Sequence, residues 1–436
     1  MPAGEGIPFK TSDRAKAAVS FIGVFADRHL TWGRGSILSQ LTETESITFS
    51  LANAARAAKT ALDVRRSQDL KSFDDVAGIA EKVARELGVV VGSSYKAHLD
   101  TEAINVRIGG LSLHDGEVPL RQLGLGSKRM LTTGLQKQEL EAPHITLCDE
   151  LEIALEPHRI ARLVQHLKQD VSNQYFVTTH SPVVLREMTI DDIQVVHSKG
   201  GKTEIVAAKQ SFLADVVQGK LRIGAEAFLA PKIVVCEGLT EVGFVRGLDT
   251  VWIGQGLPSF AYQGVAPFNA GGADQIRSAA ECMQLLHYDV AVIADSDAPK
   301  KFSPQDARDL RMRGISVVYW AGTVSIEERV FADLPWEGVV ASFKTALQIH
   351  KNEPQTLDQV SSQFGPGFDR NYGSWTESQK LRAALGTAAN ASSWFKKQSW
   401  AHDWVRAISE HLFSPAIETT DLAIQMRALR KWVDNA

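Results

Sequence analysis

The sequence predicts an α/β fold in which short parallel strands alternate with helices. Three observations carry this. Segments such as ITLCD (145–149), KIVVCE (232–237) and DVAVIADSD (289–297) are short, almost wholly apolar runs. Runs of that length, bounded by polar turns, mark strands buried on both faces. Amphipathic stretches such as PHRIARLVQHLKQ (157–169) fall between them, the order of a sheet covered by helices. Several of the strands also end in acids, at the edge where open parallel sheets gather their ligands.

In chain order, residues 48–64 and 72–88 have helical periodicity. The second opens with Ser72 and Asp75 at capping spacing and closes on Gly88. Residues 89–119 read as strands, with turns at Gly109-Gly110 and His114-Asp115-Gly116. A strand (145–149), a helix (157–169), a strand (174–180) and a hairpin (193–206) follow. A second α/β pattern begins at residue 231. It runs through a strand into the helix TEVGFVRGLD (240–249), the strand 289–297, a helix over 304–313 and the strand GISVVYW (314–320). Beyond about residue 345 the pattern is helical and rich in Trp. These changes place domains at 1–228, 229–345 and 346–436.

Composition excludes several classes. With 44% apolar and 22% charged residues and a net charge of −4, any nucleic-acid contact must use a local basic groove. Cysteines at 148, 236 and 282 are too few for a disulfide framework, which points to a reducing compartment. The N-terminus has no apolar signal core, and no run approaches the roughly 18 apolar residues of a membrane span. A cytoplasmic protein without a membrane partner is expected.

Two constellations carry chemistry. In the first, the strand ITLCDE ends in Asp149-Glu150. An apolar strand ending in paired acids can orient Mg²⁺ with the first and polarise an attacking water with the second. His180 ends the next buried strand, in TTHSP, where it can reach a γ-phosphate. Upstream, LGLGSKR (123–129) is a Gly-rich turn before a helix, so Gly124, Gly126 and Ser127 could hold a phosphate on backbone amides.

The second constellation is more acidic. Glu237 stands at a strand end and Glu241 four residues on, in the first turn of a helix, so both can face one crevice. Asp295 and Asp297 end another buried strand and, two apart on extended backbone, point the same way. Four converging carboxylates repel one another unless hard divalent cations such as Mg²⁺ or Mn²⁺ hold them.

The first set, in order and spacing, resembles the C-terminal half of an ABC-type ATPase: signature, Walker B and H-loop. It is most similar to the SMC- or RecF-like and OLD (overcoming-lysogenization-defect) ATPases. The usual DEPE-x-x-LHP reads DELEIALEP here, with Leu151 for Pro and Glu156 for His. The strand–EGxTE–helix and strand–DxD pair resembles the Toprim pattern of topoisomerases, DnaG-type primases and OLD-family nucleases. The resemblance spans about residues 100–400 and implies a partial ATPase domain, a Toprim domain and a helical C-terminal region.

Family resemblance further implies an acid after the next strand, matched by Glu327 with Glu328 as the alternative. Both acids would also suit a plain helix start, where negative charge is favoured. It also implies a Lys in the C-terminal region, matched in WFKKQSW by Lys396, with Lys397 as the fallback. Such a Lys would steady charge on a phosphate. The Trp and basic residues around 394–432 can bind nucleic acid, but at helical spacing they favour the core.

An ATP site of this kind also needs G-x-x-x-x-G-K-[ST]. GGKT (200–203) has Val196 where the first Gly belongs and lies in a hairpin, and GRGS (33–36) has no Lys. The chain resembles an OLD-type protein that begins partway through its ATPase domain. It is expected not to hydrolyse ATP efficiently alone, and to use ATP only with a partner chain that supplies a P-loop.

The implied function is a metal-dependent DNA endonuclease or nickase with a two-metal site of Glu237, Glu241, Asp295, Asp297 and Glu327. DNA is the implied partner, the implied assembly is a homodimer through the ATPase part, and the implied setting is DNA processing or phage defence. The alternatives are a catalytically incomplete sensor or interaction protein, and topoisomerase- or primase-like chemistry. A topoisomerase needs a nucleophilic Tyr, and Tyr262, Tyr288, Tyr319 and Tyr372 have no recognisable setting for one.

Overall fold

A computed structural model of the chain describes residues 19–22, 57, 94, 114–115, 118–139, 145–208 and 214–435. Of the helices expected at 48–64 and 72–88, all but the helical Ala57 lie outside the described residues, as do the GRGS segment and the Gly109-Gly110 turn. The residues fall into two compact units, Met1–His180 and Ser181–Ala436.

The first unit holds β1 (Val19–Ile22), a short hairpin of β2 (His114–Asp115) and β3 (Val118–Pro119), helix α1 (Leu125–Glu139), β4 (Ile145–Cys148), α2 (Pro157–Lys168) and β5 (Gln174–Val177). The parallel sheet runs in the order β1-β4-β5. Helix α2 buries Ile160, Leu163, Val164 and Leu167, the spacing of one helix face.

The second unit opens with α3 (Pro182–Glu187), then β6 (Gln194–Lys199) and β7 (Lys202–Ala207), the expected hairpin, turning at Gly200-Gly201. Next come α4 (Ala214–Gly224), β8 (Lys232–Cys236), α5 (Leu239–Gly254), β9 (Val265–Asn269), α6 (Ala273–Leu285), β10 (Asp289–Ala294), α7 (Pro304–Met312) and β11 (Ser316–Tyr319). The main C-terminal helices are α8 (Ile326–Asp333), α9 (Trp336–His350), α10 (Glu353–Phe364), α11 (Gln379–Ala391), α12 (Gln398–Ala407) and α13 (Asp421–Asp434). Strand β9 and helix α6 were not anticipated from the sequence. β9 carries a Pro and is an edge strand, so it lacks a continuous apolar run.

The four strands are all parallel, in the order β11-β10-β8-β9. The chain leaves β8 toward one side and returns to its other side at β10. That reversal opens a crevice between β8 and β10 at their carboxyl ends, where such sheets place their chemistry. Alternate residues feed two cores. Val234, Cys236, Ala291 and Ile293 face the C-terminal helices, with Phe331, Phe343, Trp394 and Trp404. Ile233, Val235, Val290 and Val292 face the other side, with Ile190, Leu221, Phe228 and Ile276.

The compact units therefore do not divide at 228 and 345. Residues from Ile190 onward share a core with the sheet, and the C-terminal helices are its cover on the other face. Among the described residues, no helix is long and apolar enough to cross a membrane.

Candidate active site

The residues after β8, β10 and β11 and those after α11 converge on one acidic site. Glu237 leaves β8, and its Oε2 accepts the Asp295 amide at 3.2 Å, tying the ends of β8 and β10 together. Glu241 lies in the first turn of α5, 3% exposed, and its Oε2 accepts the Gly238 amide at 2.7 Å. Asp295 is also buried. Its Oδ1 accepts from the Trp320 indole at 3.0 Å and from the Ile326 amide at 2.9 Å. The N-terminus of α8 thus points at Asp295, a favourable place for an anion. Ser296 holds that end of α8 in place by exchanging bonds with Val324, its amide donating at 3.0 Å and its hydroxyl accepting at 3.0 Å. Asp297 is exposed at the rim.

The structure separates Glu327 from Glu328. Ser325 and Glu328 form a capping box: the Glu328 amide donates to Ser325 Oγ at 3.3 Å, and Glu328 Oε2 accepts the Ser325 amide at 2.9 Å. Glu328 is thereby committed to its own helix. Glu327 is 0% exposed, and neither of its oxygens has a hydrogen-bond partner. The sequence signal for this was the Ser-x-x-Glu spacing at 325–328.

Lys396 and Lys397 are separated in the same way. Trp394 and Phe395 are fully buried, and Phe395 stacks on Trp404 at 4.0 Å between centroids. Pinning those two rings turns the lysines outward. Lys396 reaches the acids, 3.6 Å from Glu327 Oε1, whereas Lys397 lies 4.1 Å over the Trp400 ring. The Trp-rich segment is core at Trp394, Trp404 and Trp432. Close approach of α12 to α5 depends on Gly243. A Cβ there would meet the Gln398 carbonyl oxygen at 2.3 Å.

Electrostatics follow from this crowding. Burial pushes Glu241 up to about 7, and the carboxylates of Glu327 and Glu237 add to the rise. Asp295 lies well above the usual carboxylate range, through burial first and then through Glu241, Glu327, Glu237 and Asp297. Burial also raises Glu237 and Glu327, against the Lys396 ammonium in both cases. Lys396 is held above its ordinary value. Burial lowers it, but the surrounding carboxylates, Glu327 first, outweigh that.

The all-carboxylate set, with two buried and unpartnered oxygens on Glu327, fits hard divalent cations. Among the described residues, no three His, Cys, Asp or Glu side chains stand together in a set that could hold a metal ion. Glu241 Oε2 and Asp295 Oδ1 are engaged with backbone and indole donors.

Among the described residues, none of the four tyrosines considered is prepared as a nucleophile. Tyr319 is raised by burial and then by Asp297, Asp306 and Glu237, the wrong direction for activation. Tyr288 is buried, with its hydroxyl donating to the Phe228 carbonyl at 2.6 Å. Tyr372 packs on Phe343, and Tyr262 is exposed.

In the first unit, Thr178 joins the two acids. Its hydroxyl donates to Asp149 Oδ1 at 2.7 Å and accepts the Glu150 amide at 2.9 Å. Glu150 has φ of 45°, a left-handed conformation that a non-Gly residue adopts only when its surroundings impose it. Glu152 then braces the next strand end, accepting the Thr179 hydroxyl and the His180 amide, both at 2.7 Å. His180 itself is exposed.

The Gly-rich segment spans the start of α1, with Gly124 before it and Gly126 and Ser127 in its first turn. Gly126 is required by packing, since a Cβ would meet the Ala154 carbonyl oxygen at 2.2 Å, and the Ser127 hydroxyl accepts from Arg159 at 3.3 Å. The sequence reading also missed Arg129. It is buried on α1, donates to the Asp149 carbonyl and so links this helix to the acidic strand end. Thr178, Glu152 and Arg129 lie within the quoted TTHSP, DELEIALEP and LGLGSKR segments, but their roles there were not read from the sequence.

A family model for an AbiEii toxin-like AAA domain, described for a type IV toxin–antitoxin system, matches residues 12–186, less than half of the chain. No curated protein matches the sequence. Residues 12–186 form an AAA-type ATPase domain.

Proposed function

We propose that the acidic site is a Toprim-type centre and that the protein is an OLD-like, metal-dependent DNA endonuclease or nickase. One observation carries this reading. Side chains from four separate stretches of sequence (Glu237 and Glu241, Asp295 and Asp297, Glu327, Lys396) meet at one sheet edge, with Glu327 buried and unpartnered. Five carboxylates gathered around a single ammonium are costly unless a further cation offsets their charge.

Glu237, Glu241, Asp295, Asp297 and Glu327 would hold Mg²⁺ or Mn²⁺. Bound divalent ions supply an activated water and neutralise the leaving oxygen of an in-line displacement. The protein's own groups do the rest. Trp320 and the Ile326 amide fix Asp295, leaving its second oxygen free for the cluster. Lys396 stands where it can donate to a non-bridging phosphate oxygen as charge develops.

The AAA-type domain would act as the control element of this nuclease, as a homodimer through the ATPase part, with a P-loop contributed by a partner chain and a role in DNA processing or phage defence. The test is supercoiled plasmid incubated with Mg²⁺ or Mn²⁺, with and without ATP. Metal-dependent nicking lost in Asp295→Ala supports the reading. No cleavage under any metal condition favours a sensor or interaction protein, and covalent protein–DNA adducts favour topoisomerase chemistry.

A further inference from the structure

We propose that Asn390 is a positioning residue that fixes Lys396 relative to Asp297. Its place is structural; its catalytic consequence rests on the metal-centre reading above.

Asn390 is half-buried in the last turn of α11. Its Oδ1 accepts from Lys396 Nζ at 3.3 Å, and its Nδ2 donates to Asp297 Oδ2 at 3.3 Å. A primary amide presents an acceptor and a donor side by side without net charge. Each end faces the group it can serve. Turned over, the NH₂ would face an ammonium and the carbonyl a carboxylate, so the network fixes the amide's orientation. The placement of α11 is set one turn earlier, where the Thr387 hydroxyl donates to Glu328 Oε1 at 3.1 Å.

The arrangement answers a specific problem. Lys396 has a long, flexible stem and is 41% exposed, beside several acids that compete for it. Without an intermediary, its ammonium is free to close on the exposed Asp297 and cancel a carboxylate that the metal reading needs. Asn390 stands between them. It holds one oxygen of Asp297 by a neutral donor and keeps the ammonium within reach of Glu327. Asp in its place would repel Asp297, and Lys would repel Lys396.

The experiment compares wild type, Asn390→Ala and the isosteric Asn390→Asp in the full chain. The first readout is amine labelling of the metal-free protein by an acylating reagent, resolved by mass spectrometry, with Lys397 as the internal reference. In Asn390→Ala, labelling of Lys396 relative to Lys397 falls about three- to tenfold, because the released ammonium closes on Asp297 and a charge-assisted contact holds it more strongly than the neutral amide did. It falls in Asn390→Asp as well, because the new carboxylate holds the ammonium. The second readout is plasmid nicking at saturating Mn²⁺. Both variants lose roughly ten- to a hundredfold in kcat, with KM for DNA unchanged, as expected for a misplaced group.

Unchanged relative labelling of Lys396 in both variants overturns the proposal, as does wild-type kcat in a variant whose labelling has moved. If Asn390→Ala does not fold, the isosteric Asp variant decides alone. If wild type itself cuts no DNA, the nuclease reading falls and the labelling ratio still decides the placement of Lys396.

Discussion

The Lys396 ammonium stands 3.6 Å from Oε1 of Glu327, a carboxylate that is wholly buried and accepts no well-formed hydrogen bond. An anion so placed leans chiefly on the Lys396 charge, with only weak hydrogen bonding beside it, and such burial is costly. The protein keeps it in a position that stabilises the fold poorly and suits a cation well.

Neutralising Glu327 is therefore predicted to separate stability from function. Glu327→Gln removes a desolvated charge, and the metal-free protein should lose no stability. Its thermal shift on adding Mn²⁺ should shrink and nicking should disappear. Differential scanning fluorimetry with and without Mn²⁺ checks this. A variant that melts lower without metal, yet keeps the full Mn²⁺ shift, contradicts it.

The neighbouring pairs should behave unequally. Lys396→Met is expected to lower nicking by about a hundredfold or more, the scale for losing a group that stabilises transition-state charge. Lys397→Met removes only a cation–ring contact and should leave nicking near wild type. Glu328→Ala should cost about 1 kcal/mol through the lost cap of α8. Parallel kinetics and melting curves on the three variants suffice, and equal losses at both lysines would count against the assignment.

Stability of the metal-free protein should fall as pH rises. A carboxyl with a raised folded-state pKa contributes stability in full below its unfolded value and loses it as pH climbs through the folded value. For Glu241 that window runs from 4.5 to about 7. Melting temperature in chelator should drop across this range, and Glu241→Gln should flatten the slope. Because metal competes with protons for these ligands, the Mn²⁺-induced gain should be larger near pH ~8 than near pH ~5. A pH-independent gain would refute the link.

Helix approach should matter at a distance. In Gly243→Val, the new side chain meets the Gln398 backbone two residues beyond Lys396. Overpacking of this kind costs typically about 1–3 kcal/mol. It should also displace the Lys396 loop, lowering nicking more than DNA binding. Unaltered kcat in a destabilised variant would detach the α5–α12 contact from the site.

The first unit makes its own prediction. The purified chain should release no phosphate from ATP above the level of its Glu150→Gln variant, since no G-x-x-x-x-G-K-[ST] segment is present. Turnover that Glu150→Gln abolishes would show that the phosphates are held by another route.

The sequence by itself determined the parallel α/β character and the acids at strand ends. Both are local properties: β-branched apolar runs encode buried strands, and Glu237, Glu241, Asp295 and Asp297 follow directly from strand–helix and strand–turn spacing. It could not place β9, whose Pro breaks the pattern, or tell that the Trp-rich helices cover the same sheet. The family resemblance preferred Glu327 to Glu328 and Lys396 to Lys397, and only the tertiary structure gives a physical difference within each pair. Adjacent residues in each pair have similar chemistry, and what parts them is which one a cap or a ring already occupies. Asn390, Trp320 and Thr178 emerged only there, because their roles are contacts across 93, 25 and 29 residues of chain, and such contacts exist only once the elements have packed.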